Sequence, residues 1–82
     1  MLNIGVLISG GGTNLQSLID NIENGYIKGK IKIVISNRKD AYGLIRAEKA
    51  GIEALYIDPS GLSEEEYNKK IIGELEKRNK PD

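Results

Sequence analysis

Ser9, Gly10, Gly11, Gly12, Thr13 and Asn14 are the residues of this sequence whose types and spacing can do chemistry. They follow the apolar run Ile4 to Ile8 and precede Leu15, Leu18, Ile19 and Ile22, which recur at helical spacing. The glycines therefore sit where a strand hands over to a helix. At such a junction several backbone N–H groups lack intrahelical partners, and the helix dipole adds partial positive charge. Glycines let the backbone approach an oxyanion with no Cβ in the way, while the side chains of Thr13 and Asn14 are further donors. The pattern predicts a phosphate ester as ligand. A plainer reading is also available: a strand-to-helix turn in which glycine supplies positive φ and Thr13 caps the helix.

Two common phosphate signatures can be tested on these residues. A nucleotide-triphosphate loop needs lysine and then Ser or Thr after its last glycine, whereas Gly12 is followed by Thr13 and Asn14. A dinucleotide fingerprint matches Gly10 and Gly12 but finds Leu15 where its third glycine should allow close helix packing. After the second strand it also wants an acidic residue for a ribose hydroxyl, and the sequence offers Ser36, Asn37 and Arg38. Arg38 can instead receive a 2′-phosphate, so an NADP-type nucleotide-binding module stays open as the alternative.

Composition narrows the classes further. The 82 residues carry a formal net charge of zero, and no basic block is long enough to track nucleic acid or an anionic membrane. Tyr26, Tyr42, Tyr56 and Tyr67 do not interleave with a basic stripe as base-stacking platforms do. Cysteine and histidine are both absent, which removes thiolate metal sites, the commonest imidazole ligand and the commonest general base. No metal is expected. Proton transfer near neutral pH would need a tuned carboxylate, lysine or tyrosine, or a residue outside these 82. The run Ile4 to Ile8 is too short for a signal-peptide core or a membrane span, so a cytoplasmic protein is expected.

The elements that must position the loop follow from periodicity. Asn3 to Ile8 reads as a strand buried on both faces, because it is nearly continuously apolar. The helix after the glycines should end at Asn24 and Gly25. Ile31 to Ile35 is a second strand; a short helix capped by Asp40 should run to Ala50 and stop at Gly51. Ile52 to Ile57 is a third strand, followed by a turn over Asp58, Pro59, Ser60 and Gly61. Ser63 and Glu66 form a capping box for a last helix with apolar positions at Tyr67, Ile71 and Leu75.

Three strands alternating with three helices predict an α/β fold, a partial doubly wound, Rossmann-like parallel sheet with helices on both faces. In the usual doubly wound order the first strand is central, so here one of its edges would lack a neighbour. An apolar strand with an open edge invites association. Residues 1–82 are thus expected to be a single incomplete domain that either forms a homodimer through that edge or pairs there with a further strand.

Two separated stretches carry a resemblance. The opening Asn3-Ile4-Gly5-Val6-Leu7-Ile8-Ser9-Gly10-Gly11-Gly12-Thr13-Asn14-Leu15-Gln16 is similar to the start of the glycinamide ribonucleotide formyltransferases. Ile35-Ser36-Asn37-Arg38-Lys39-Asp40-Ala41-Tyr42-Gly43-Leu44, continuing through Arg46-Ala47 and Ala50-Gly51-Ile52, resembles the same family at the expected distance. Lys80-Pro81-Asp82 looks like that family's lead-in to a fourth strand. The resemblance implies the formyltransferase fold and formyl transfer from the co-substrate 10-formyltetrahydrofolate to glycinamide ribonucleotide, a step of purine synthesis. It also implies that Gly12, Thr13 and Asn14, with Gly11 alongside, hold the substrate's ribose phosphate. The family's catalytic Asn, His and Asp come later in the chain, and no residue here corresponds to them. One folate contact of the family is a basic residue near the start of the third helix, where this sequence has Ser63-Glu64-Glu65-Glu66, so that contact is left unassigned.

Overall fold

The computed structural model describes residues 2–78. Their order is β1 (Leu2–Ile8), α1 (Thr13–Glu23), β2 (Gly29–Ser36), α2 (Tyr42–Lys49), β3 (Ala54–Tyr56) and α3 (Glu64–Arg78). The strands form one parallel sheet in the order β1-β2-β3, the α/β architecture expected from the alternating elements. Lys80, Pro81 and Asp82 lie outside the described residues.

Two apolar layers hold the sheet between its helices. On one face Leu15 and Ile19 of α1 and Ala47 of α2 pack with Ile31 and Val34 of β2. On the other, Ile71 of α3 packs with Ile33 and Ile35, flanked by Tyr67 and Leu75. Ile31 and Ile33 would share a face in a regular strand, yet they serve opposite layers. The register explains this: Ile4 lies opposite Ile31 but Gly5 lies opposite Ile33, making Lys32 the extra residue of a β-bulge. The bulge resets the alternation, so Ile33 and Ile35 meet α3 while Val34 returns to the α1 and α2 side.

Sheet position also corrects the reading of β1. That strand is an edge, and among the described residues it is hydrogen-bonded only to β2; residues 3–8 are half-buried or exposed, with Leu7 58% exposed. The strand buried on both faces is β2, where Ile33, Val34, Ile35 and Ser36 are each no more than 1% exposed. A continuous apolar run fits a central strand, but only β2 has a strand on each side and helices over both faces.

Most helix boundaries follow local chemistry. Asn24 closes α1, and Gly25 follows in the left-handed conformation at φ 83°. The capping box of α3 is formed in both directions: Ser63 Oγ accepts from Glu66 N–H at 3.1 Å, and Glu66 Oε1 accepts from Ser63 N–H at 3.1 Å. Asp40, in contrast, does not cap α2. The N-cap is Ala41, extended at ψ 124° and making no side-chain cap bond, while Asp40 Oδ1 lies 3.6 Å from Arg38 Nε. Asp40 stands one residue too early to reach the free amides of the first turn. β3 is shorter than the apolar run Ile52 to Ile57, because Ile52 N–H donates to Ala47 O at 2.9 Å and so closes α2 instead of joining the sheet.

Candidate functional site

The glycine loop is held from behind through its carbonyls. Gly10 O accepts from Gly43 N–H at 3.2 Å, Gly11 O from Arg46 Nε at 2.9 Å, and Gly12 O from Gln16 N–H at 2.9 Å. Among the described residues, no backbone hydrogen bond of the loop uses the N–H of Gly11, Gly12, Thr13 or Asn14 as donor. All peptide bonds among the described residues are trans, so each carbonyl points opposite to the N–H that follows it. Three consecutive carbonyls bonded to the protein thus turn the amides of Gly11, Gly12 and Thr13 away from those donors.

Gly12 is the N-cap of α1, with φ 75° and ψ 30°, and no side chain caps this helix. Glycine supplies the left-handed turn, as the plainer reading of the sequence requires, but Thr13 does not supply a cap. The first turn of α1 contains no acidic residue, so no carboxylate within it offsets the positive end of the helix dipole.

Of the residues predicted to bind, Gly12, Thr13 and Asn14 come together along a groove of about 340 Å³, shared with Leu7, Ile8 and Ser9 at the carboxyl end of β1. Gly11 lies beside it in open space, with nothing within 4 Å of where a Cβ would stand. Asn37 and Arg38 do not line this groove. Asn37 lines an adjoining recess of about 290 Å³, on the side of α3, that shares Leu7, Ile8 and Ser9 with the groove. Arg38 is exposed and pairs with Asp40, and its backbone is tied to the buried Ser36, whose Oγ accepts from Arg38 N–H at 3.0 Å. At the start of α3, Glu66 is engaged by the capping box, and the Ser63 backbone N–H holds its carboxyl below the usual range. The three glutamates there form an acidic first turn facing the helix dipole.

Gly43, Arg46 and Gln16 were not singled out by sequence reasoning as parts of the site. Gly43 permits α2 to press against the loop: a Cβ at Gly12 would stand 2.7 Å from Gly43 Cα. Besides holding Gly11 O, Arg46 donates from Nη1 to Gln16 Oε1 at 3.1 Å and lies 5.0 Å from the centre of the Tyr42 ring. The only signal in the sequence was a glycine and an arginine three apart on one helix, which becomes meaningful once α1 and α2 are known to share a face.

Comparison with known proteins places this geometry in a family. The formyl transferase family model matches residues 2–82. A phosphoribosylglycinamide formyltransferase of Escherichia coli is 45% identical over 76 residues, covering 92% of this chain and 36% of that protein. The corresponding protein of Dictyostelium discoideum is 65% identical over 51 residues, covering 62% of this chain and 25% of its own. Among solved structures, glycinamide ribonucleotide transformylase 1 from Symbiobacterium toebii superposes with a TM-score of 0.91 at 46% identity, over 95% of this chain and 37% of that one. The chain thus spans about a quarter to two fifths of the length of these relatives. Sequence and backbone agree over the same elements, and the chain belongs to the formyl transferase family.

Proposed function

We propose that this chain is the part of a phosphoribosylglycinamide formyltransferase that holds the phosphate of glycinamide ribonucleotide. The whole protein moves a formyl group from 10-formyltetrahydrofolate to the substrate's primary amine. A new C–N bond forms at the formyl carbon, the bond to the folate nitrogen breaks, and the amine's proton leaves. That proton needs a base and the leaving nitrogen an acid. No histidine is available in these 82 residues, and we assign none of them a catalytic role. Their contribution is binding: Gly11, Gly12, Thr13 and Asn14 receive the phosphate oxygens, and most of the folate site belongs to other parts of the polypeptide.

The observation that carries this reading is the loop's division of labour, with carbonyls bonded to the protein and amides left for a ligand, in a chain whose relatives are named for a phosphorylated substrate. A reaction between water-soluble small molecules suits the cytoplasm. The open edge of β1 suits pairing with a further strand or with a second copy.

Titration of glycinamide ribonucleotide into isotopically labelled chain tests the proposal. The amides of Gly11 to Asn14 should move most, with weak affinity because one loop supplies only part of an enclosed pocket. No formyl product should form when 10-formyltetrahydrofolate is added to the chain alone. Loop amides that stay in place up to the ligand's solubility limit would overturn the assignment.

A further inference from the structure

We infer that Arg46 is a positioning residue that holds the loop in its anion-receiving conformation from the side opposite the ligand. The inference rests on the phosphate-binding reading above and adds to it the group that maintains the geometry. Two of the three loop carbonyls are bonded by α2 rather than by α1: Gly10 O by the backbone N–H of Gly43, and Gly11 O by Arg46 Nε. The backbone contact needs no particular side chain beyond the absence of one at Gly43. The contact to Gly11 O depends entirely on the guanidinium.

Gly11 is the residue for which this matters most. Nothing stands within 4 Å of its Cβ position. Glycine is the most freely rotating residue of the chain, so the Gly11–Gly12 peptide would turn readily without an external hold. With Gly11 O bonded to Arg46, the trans peptide aims the Gly12 N–H the other way. The guanidinium is itself oriented by two further contacts, Gln16 Oε1 at 3.1 Å and the Tyr42 ring at 5.0 Å. Gln16 Nε2 in turn donates to Asp20 Oδ1 at 3.0 Å, which leaves its Oε1 facing Arg46. A planar fork that donates from Nε and Nη1 to two acceptors at once is a geometry that lysine cannot reproduce.

The test compares Arg46→Met and Arg46→Lys with the unaltered chain, titrating each with inorganic phosphate and with glycinamide ribonucleotide while following backbone amides. Both variants should keep a folded, dispersed spectrum, because Arg46 lies on the helix surface over the loop and not in the core. Both should also bind about tenfold more weakly, the scale expected when a charge-assisted hydrogen bond is lost. The Gly12 amide should shift in the free state of both variants. If Arg46→Lys binds like the unaltered chain while Arg46→Met does not, the residue acts through its charge and the positioning role fails. If both bind normally, it also fails. A variant that loses amide dispersion makes Arg46 a folding residue and overturns the inference equally. If the unaltered chain itself binds neither ligand, the phosphate reading is what has failed, and the free-state Gly12 shift still decides whether Arg46 orients the loop.

Discussion

Gly12 and Gly43 meet backbone to backbone, so closely that a Cβ on Gly12 would lie 2.7 Å from Gly43 Cα. This contact joins the β1–α1 connection to the first turn of α2 and places Arg46, about one turn along α2, over the loop. Positive φ at Gly12 and the close approach are separate demands on the same residue.

Alanine substitutions along the loop should therefore separate stability from binding. Gly12→Ala should destabilise by about 2 kcal/mol or more, since it incurs both the left-handed penalty and the backbone clash. Gly11→Ala meets open space and has no positive φ, so its melting temperature should stay close to that of the unaltered chain. Phosphate binding should nevertheless weaken, because the proposed role of the loop needs its backbone to approach the oxyanion without a Cβ. Thermal melts paired with amide titrations check both halves.

The capping box offers a second measurement. Ser63→Ala removes the oxygen that receives Glu66 N–H and should cost about 1 kcal/mol. In a domain of this size that lowers the melting midpoint by about 4–8 °C. Phosphate affinity should not change, because α3 lies on the opposite face of the sheet from α1.

Acidification should loosen the attachment of α3. Arg78 donates to Glu53 through Nε at 2.9 Å and also through Nη2, and it reaches Glu74 from the same guanidinium. Hydrogen bonding from Arg78 holds the carboxyls of both Glu53 and Glu74 below their ordinary value of 4.5. Carboxyls depressed on folding stabilise the protein above their unfolded pKa, and that contribution is lost as pH falls through the folded value. Melting temperature should accordingly hold near neutrality and decline below about pH 4.5. Glu53→Gln should reduce the decline; an unchanged profile would count against this linkage.

Self-association is the fourth expectation. The sequence of β1, Leu2 to Ile8, contains no lysine, proline or other charged residue to blunt its edge, and Leu7 is 58% exposed. Sedimentation should show concentration-dependent association of the isolated chain, reduced by Leu7→Lys. A monomer at high concentration in both forms would argue against a sticky edge.

Much of this was legible in residue order alone. The switch from an apolar run to helical spacing across Gly10 to Gly12, the S-x-x-E box at Ser63, and the stops at Gly25 and Gly51 are local signals, and each matches the fold. Asp40 misled because a capping residue works only if the backbone turns immediately after it, and here it turns one residue later.

What the sequence determined by itself was the kind and order of the elements, together with the place of the glycine loop between the first strand and its helix, since these depend on contacts between near neighbours in the chain. Tertiary structure decided the rest. Which apolar strand lies centrally depends on its neighbours in the sheet, and the bulge at Lys32 alone explains how Ile31 and Ile33 come to face opposite layers. The hold of Arg46 on Gly11, across 35 positions of sequence, exists only because α1 and α2 pack on one face of that sheet.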